Sequence, residues 1–169
     1  MSASNLKDWL ALIEARHPTE IEMGLDRVGA VYERLACGRP ATQVVIIAGT
    51  NGKGSTVAFI EAIARAAGWR VGAYTSPHLL RYNERVRIDG DDVDDAALVE
   101  AFEAVEAARG DTPLTYFETG TLAALWLFAR AGLDLAVLEV GLGGRLDAVN
   151  IVEPDVSCLL YTSPSPRDS

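Results

Sequence analysis

The chain has 169 residues, of which 49% are hydrophobic and 23% are charged, and this composition is typical of one globular domain. Its formal net charge of −9 argues against nucleic acid as a partner. The two cysteines, Cys37 and Cys158, are too few for a disulfide framework and have no His or Cys at zinc-ligand spacing.

No apolar run approaches the ~20 residues that a membrane-spanning helix needs. The start of the chain, Met1–Asn5, also lacks the basic and apolar blocks of a signal peptide. We therefore expect a cytoplasmic protein without a membrane partner. The acidic surface does not exclude a nucleotide, because salt screens distant charges over ~10 Å while N–H donors and a lysine act locally.

Two amphipathic helices are predicted before the first strand. Ser4 or Asn5 can cap the first helix, which ends before residues 17–18, a His-Pro pair. The second covers residues 25–35 and is followed by a glycine and proline that break the helical pattern.

A strand and a glycine-rich turn follow at residues 43–56, the most informative stretch of the chain. Residues 44–48 form a β-branched apolar run, typical of a strand buried on both faces of a parallel sheet. Gly49, Gly52 and Gly54 come next, and glycine allows a turn in which consecutive N–H groups point inward. A helix that starts near Gly54 adds the positive end of its dipole, so the turn predicts an anion site.

Polar side chains in the same turn favour a nucleotide triphosphate as the anion. Lys53 adds a positive charge, and the hydroxyls of Ser55 and Thr56 can contact phosphate or Mg²⁺. The turn departs from the standard G-x-x-x-x-G-K-[ST] pattern, which would need glycine at Ile47 and a hydroxyl residue at Gly54. The alternative is an ordinary strand-to-helix turn, but such turns rarely combine three glycines, a lysine and paired hydroxyls.

The next elements predict a right-handed parallel βαβ unit. A helix extends to Ala67 with an apolar face, and residues 71–74 form a short strand. The apolar face of this helix is predicted to contain Phe59, Ile60, Ile63 and Ala67. A polar loop at residues 75–85 leaves the carboxyl end of the strand, where open α/β sheets bind ligands, although a solvated connection has the same composition.

Two further helices are predicted after an acidic turn at residues 89–92. Asp94 or Asp95 can cap the first, over residues 96–108, and the acidic run lacks the ligand spacing of a calcium loop. Residues 115–130 form the second, whose aromatic side chains are expected in the core.

A second buried strand, at residues 133–139, ends in a carboxylate. Glu139 is thus placed at the carboxyl tip of a strand, beside the predicted phosphate loop, where a Mg²⁺ ion bridging phosphates would need a ligand. The glycine-rich segment at 140–147 lacks the Rossmann spacing, and residues 147–150 are predicted to be a loop. A last strand begins at Val156 and is followed by a Ser/Pro-rich tail.

Four separated segments resemble the folylpolyglutamate synthase and dihydrofolate synthase family, a branch of the Mur ligase superfamily. They are GTNGKGST at 49–56, TSP with RYNER at 75–85, TYFE at 115–118, and EVGLGGRLD at 139–147. The resemblance implies an α/β fold with a mostly parallel sheet flanked by helices, like P-loop NTPases and the central domain of Mur ligases.

The resemblance also implies a role for individual residues. The implied ATP-binding residues are Gly49, Thr50, Asn51, Gly52, Lys53, Gly54, Ser55 and Thr56. Lys53 and Glu139 would be catalytic, and Ser76 and Glu139 would be the magnesium ligands. The implied pteroate pocket is formed by Thr115, Tyr116, Phe117, Glu118, Leu146, Asp147 and Ala148.

The implied reaction is an ATP- and Mg²⁺-dependent ligation of L-glutamate to dihydropteroate or a folate through an acyl phosphate, in a mostly monomeric enzyme. Residues 1–158 would then be an incomplete ATP-binding domain. The segment 159–169 does not resemble the family and is interpreted as a non-native tail. The glutamate-ligase domain would be absent, so we expect a truncated chain with little or no turnover.

Two other functions stay open from the sequence. One is a small NTPase or phosphotransferase, which would need a catalytic base and an arginine-rich lid that the sequence does not show after its last strand. The other is a non-catalytic nucleotide-binding module, against which the Ser76 loop and the glycine loop after Glu139 argue.

Overall fold

The structure, a computed structural model, describes residues 3–16, 24–141 and 144–161, apart from the side chain at position 145. The helices are α1 (Leu6–Ala15), α2 (Asp26–Leu35), α3 (Lys53–Ala66), α4 (Asp95–Arg109) and α5 (Tyr116–Ala131). The strands are β1 (Gln43–Gly49), β2 (Val71–Tyr74), β3 (Val86–Ile88), β4 (Asp91–Asp92), β5 (Leu135–Glu139) and β6 (Val156–Leu160). The end of the predicted tail, residues 162–169, lies outside the described residues.

The strands form one six-stranded sheet in the order β4-β3-β2-β5-β1-β6. The neighbours β2-β5, β5-β1 and β1-β6 are parallel, while β3 pairs antiparallel with both β2 and β4. The mostly parallel α/β sheet is therefore confirmed. The predicted acidic turn is in fact a hairpin, in which Asp89 and Gly90 adopt positive φ between β3 and β4. Strands this short have no periodicity that the sequence could reveal.

The sheet separates two apolar cores. On one face, α3 covers a small cluster to which alternate residues such as Ile47, Ala73 and Val137 contribute. On the other face, the larger cluster takes in Ile46, Leu138 and buried side chains of α1, α2, α4 and α5. This alternation follows from the two-residue period of a strand that is buried on both faces.

The predicted apolar face of α3 is right for Ile60, which packs against the small cluster, and wrong for its other three residues, which are exposed. Phe59 and Ile63 are each 69% exposed, while Val57, Glu61 and Ala64 face the sheet. Glu61 can be buried because its carboxylate pairs with the Arg87 guanidinium of β3 at 3.2 Å. A hydrophobicity pattern does not reveal an ion pair between distant segments, so the predicted buried face left out Glu61 and took in exposed residues instead.

The predicted helix caps agree with the structure. The Asn5 carboxamide accepts the Asp8 N–H at 2.8 Å, and the Asp94 carboxylate accepts the Ala97 N–H at 2.8 Å. Gly132 ends α5 in the left-handed conformation at φ 66°.

In the part of the chain that the structure describes, no helix has the length and apolar character required to cross a bilayer.

We predict that Gly120→Ala destabilises the protein although alanine favours helix. Gly120 lies inside α5, and a methyl group there would overlap the Tyr82 hydroxyl oxygen. The Tyr82 ring cannot move aside easily, because it is buried against other aromatic rings. We expect a loss of about 1–3 kcal/mol in the free energy of unfolding, measured by urea denaturation.

Gly29→Ala is the matched control, because Gly29 lies inside α2 and has open space around its Cα. That variant should be neutral or gain about 0.5–1 kcal/mol from the higher helix propensity of alanine. Equal stabilities of the two variants would contradict the packing of α5 against Tyr82.

Candidate phosphate and metal site

Three parallel strands end at the same edge of the sheet and bring the predicted loops together. Residue Ile47 of β1 pairs with Glu139 of β5, and Ala73 and Tyr74 of β2 pair with the same strand on its other side. The loops after β1, β2 and β5 therefore leave the sheet side by side. This is the edge at which open α/β sheets bind ligands.

The glycine turn after β1 has the geometry that its sequence predicts. Gly49 and Gly52 have φ of +136° and +79°, values that favour glycine, and Gly52 is the N-cap of α3. The Lys53 ammonium donates to the Gly49 carbonyl at 2.9 Å, and the Thr56 hydroxyl donates to the Gly52 carbonyl at 2.9 Å. Both side chains thus hold the turn in shape at the positive end of the helix dipole.

The turn is open to solvent. Thr50, Asn51, Gly52, Gly54 and Ser55 are all exposed, so a ligand can approach the backbone and hydroxyl groups of the loop. An exposed loop before a helix of 14 residues matches the geometry of a phosphate-binding helix start.

Glu139 is buried beside this turn. Its side chain is among the buried polar groups at 5% exposure, and a methyl group at Gly54 would lie 4.0 Å from its Oε2 atom. Burial raises the pKa of Glu139, while the Lys53 charge and a hydrogen bond from the Ser76 backbone N–H lower it. The structure therefore brings together three of the predicted catalytic and metal-binding residues, Lys53, Ser76 and Glu139.

This donor set fits Mg²⁺ that is shared with phosphate oxygens. Within the described ranges, no group of three or more His, Cys, Asp or Glu side chains could hold a metal ion alone. Mg²⁺ commonly takes only one or two carboxylates and completes its shell with substrate phosphates and water. The carboxylate of Glu139, together with a hydroxyl on Ser76, whose backbone N–H binds that carboxylate, matches that requirement.

A second buried carboxylate, Asp147, lies after the glycine segment. It is 2% exposed and accepts the backbone N–H groups of Gly141 at 2.8 Å and Val149 at 2.9 Å. Burial raises its pKa to about 6, although both hydrogen bonds and the Lys53 charge lower it. The loop predicted at 147–150 is a 3₁₀ helix at Ala148–Ile151, because Asp147 caps it. Leu142 and Gly143 lie outside the described residues.

Gly141 brings Phe117 close to Asp147, a contact that sequence reasoning missed. A methyl group at Gly141 would lie 2.9 Å from the Phe117 ring and 3.3 Å from the Asp147 carboxylate. The Phe117 and Tyr74 ring centroids are 6.1 Å apart. Among the other predicted pocket residues of this segment, Leu146 is 46% exposed and Ala148 is buried. An aromatic ring and a carboxylate thus both lie close to one glycine.

Thr115 and Glu118, also predicted pocket residues, have their polar atoms bound within the protein. They form a capping box at the start of α5, with hydrogen bonds of 2.9 and 3.0 Å. Both Glu118 carboxylate oxygens also accept from the Arg27 guanidinium at 3.1 Å. Their substrate contacts stay a prediction, and so do those of Tyr116, whose ring packs edge-on against Tyr82.

Known proteins match this chain along nearly its whole length, although no protein-family model does. The dihydrofolate synthase/folylpolyglutamate synthase of Escherichia coli strain K12 is 54% identical over 156 residues, which are 92% of this chain and 37% of the relative. Its counterpart in Haemophilus influenzae is 48% identical over 158 residues, 94% of this chain and 36% of the relative. The chain therefore spans less than two fifths of the length of these curated relatives.

Solved structures agree in fold. E. coli FolC in complex with DHPP and ADP superposes with a TM-score of 0.91 at 51% identity, over 98% of this chain and 40% of that one. A bifunctional folylpolyglutamate synthase/dihydrofolate synthase with Mn, AMPPNP and L-glutamate bound gives a TM-score of 0.89 at 55% identity, over 92% of this chain and 38% of that one. The resemblance stated from the four sequence segments is confirmed.

We predict that Glu118→Gln lowers the free energy of unfolding by about 1–3 kcal/mol, because it removes a charged partner of the mostly buried Arg27. The Glu118 and Arg27 side chains are only 11% and 17% exposed. Glutamine keeps the capping acceptor, so the loss reports the ion pair. Thermal and urea unfolding measure it.

Glu106→Gln is the control, because Glu106 also pairs with arginines but its side chain is 34% exposed. We expect that variant to lose less than about 1 kcal/mol. Similarly small losses of unfolding free energy in both variants would contradict a stabilising role for the Glu118–Arg27 ion pair.

Proposed function

Because the sequence and fold of this chain are those of the dihydrofolate synthase/folylpolyglutamate synthase family along 92% of its length, we propose that it binds Mg-ATP for an amide ligation. In the complete reaction, a dihydropteroate or folate carboxylate is activated by ATP and joined to L-glutamate. Two structures similar to this chain carry ADP with DHPP, or AMPPNP with Mn and L-glutamate, as their names state.

One observation carries the proposal: Lys53 and Glu139 lie at one end of an exposed glycine turn. The turn supplies N–H donors and a helix dipole, Lys53 supplies a positive charge, and Glu139 with Ser76 supplies oxygen ligands. Bound Mg²⁺ would neutralise charge on the phosphate oxygens. A carboxylate is a poor electrophile, so concentrating positive charge around a transferring phosphoryl group is what its activation requires.

Phe117 and Asp147 are the residues that we propose bind the pteroyl part of the substrate. A ring beside a buried carboxylate suits a flat heteroaromatic group with N–H donors. The family resemblance also implies that both residues line a pteroate pocket. The nearby Tyr74 ring widens this aromatic surface.

We assign residues 1–158 to the ATP-binding domain, and β6 continues the sheet to Leu160. A cytoplasmic monomer is the accompanying expectation.

We predict that Lys53→Ala weakens Mg-ATP binding at least tenfold, which is about 1.4 kcal/mol, because the positive charge at the turn is lost. Calorimetry on the 169-residue chain measures the affinity. Lys7→Ala is the control, since Lys7 is the other lysine and lies exposed on α1. Glu139→Gln should reduce the gain in affinity that Mg²⁺ gives to ATP.

Two results would contradict the proposal. One is wild-type chain that binds no nucleotide with or without Mg²⁺. The other is equal Mg-ATP affinity in the Lys53 and Lys7 variants, which would place any nucleotide away from the glycine turn.

A further inference from the structure

Arg85 occupies an unusual position at the end of the loop that contains Ser76. Its guanidinium carbon lies 5.1 Å from the centroid of the Tyr82 ring and 5.8 Å from that of Tyr116. Its Nε atom donates to Nδ1 of His78 at 2.8 Å. Two rings and an imidazole therefore restrain the plane of a cation that is half-buried.

The described residues give this cation no carboxylate partner. Glu84, its neighbour in sequence, accepts the backbone N–H groups of three residues, Leu79, Leu80 and Arg81, at 2.7–3.0 Å. Asp95 binds Arg81 and Asn83 instead. Among described side chains, every ion pair within 4.0 Å involves another arginine.

The two terminal nitrogens of Arg85 are consequently available as donors. The Nε atom is used by His78, and no described oxygen accepts from Nη1 or Nη2. A guanidinium presents these donors as a flat fork that matches the two oxygens of a carboxylate. Because the stacking rings already fix its plane, Arg85 would lose little conformational freedom on binding an anion.

Arg85 also lies close to the proposed acceptor pocket. A methyl group at Gly120 would meet the hydroxyl of Tyr82, over whose ring Arg85 lies, and would be 3.7 Å from the hydroxyl of Tyr74. Desolvation has the largest effect on the pKa of the buried Tyr74 and raises it, while the Arg85 charge lowers it and the Asp147 charge raises it. The Tyr74 ring packs against Phe117. One end of a long substrate could thus contact Phe117 and Asp147 while an acidic group reaches Arg85.

We propose that Arg85 binds a carboxylate of the pteroyl or folyl substrate and so selects for acidic substrates at this site. This inference rests on the proposed function for its ligand, and it adds a binding residue that the ATP-side chemistry does not need. The two terminal nitrogens of the Arg85 guanidinium can bind an oxyanion from either source, the substrate or the nucleotide. Its place over the Tyr82 and Tyr116 rings, rather than against the glycine turn, favours the substrate carboxylate over the nucleotide phosphates.

The test compares three probes, folic acid, pteroic acid and Mg-ATP, by calorimetry on the 169-residue chain. We expect Arg85→Ala to weaken binding of folic acid at least tenfold and to leave Mg-ATP affinity within twofold of wild type. Arg85→Lys, which keeps the charge but not the fork, should give a smaller loss. Arg81→Ala is the control from the same loop, because Arg81 is 65% exposed and pairs with Asp95.

Pteroic acid identifies the carboxylate, because it lacks the glutamate tail of folic acid. A loss with pteroic acid places its benzoate carboxylate on Arg85. In folic acid that carboxyl is an amide, so a loss with folic acid places a carboxylate of the glutamate tail there; either result supports the proposal. Unchanged folic acid and pteroic acid affinities in Arg85→Ala overturn it, as does wild-type chain that binds neither compound. A loss confined to Mg-ATP also overturns it while leaving the nucleotide proposal intact. If Arg85→Ala does not fold, the comparison of Arg85→Lys with Arg81→Ala decides in the same way.

Discussion

The parallel pairing of β1 with β5 is the constraint on which the candidate site depends. This register sets Ile47 opposite Glu139, so a buried carboxylate and a glycine turn emerge from neighbouring strands. Glu139 can then face Gly54, where any side chain larger than hydrogen would approach its carboxylate. Neither the turn nor the carboxylate alone is specific for a nucleotide, but their adjacency is the arrangement that the proposed phosphate and metal site requires.

Buried and half-buried charges recur around this edge, and each is balanced in a different way. Glu61 pairs with Arg87, and Glu118 pairs with Arg27. Glu139 instead has the Lys53 charge and one backbone N–H nearby, and burial still raises its pKa. The first pair links α3 to strand β3 and the second links α5 to α2, whereas the incompletely balanced Glu139 is the group that we propose binds a cation.

The sequence predicted the parallel sheet well because its strands are apolar runs with clear turns between them. It also predicted the proximity of Lys53, Ser76 and Glu139, since the carboxyl ends of parallel strands share an edge. It failed for part of the buried face of α3, which includes Glu61 because this residue pairs with a distant arginine. It also missed the β3–β4 hairpin and the contact of Phe117 with Gly141. These depend on tertiary contacts between segments that have no local signature.

We propose that Mg²⁺ and nucleotide phosphates bind between the glycine turn and Glu139. Paramagnetic broadening of amide NMR signals by Mn²⁺ with AMPPNP tests it directly, because only groups close to the metal are affected. We predict selective loss of the amide signals of Gly54, Ser76 and Val140, reversed by excess Mg²⁺. Broadening centred on the acidic segment at residues 91–95, or no broadening at all, would contradict it.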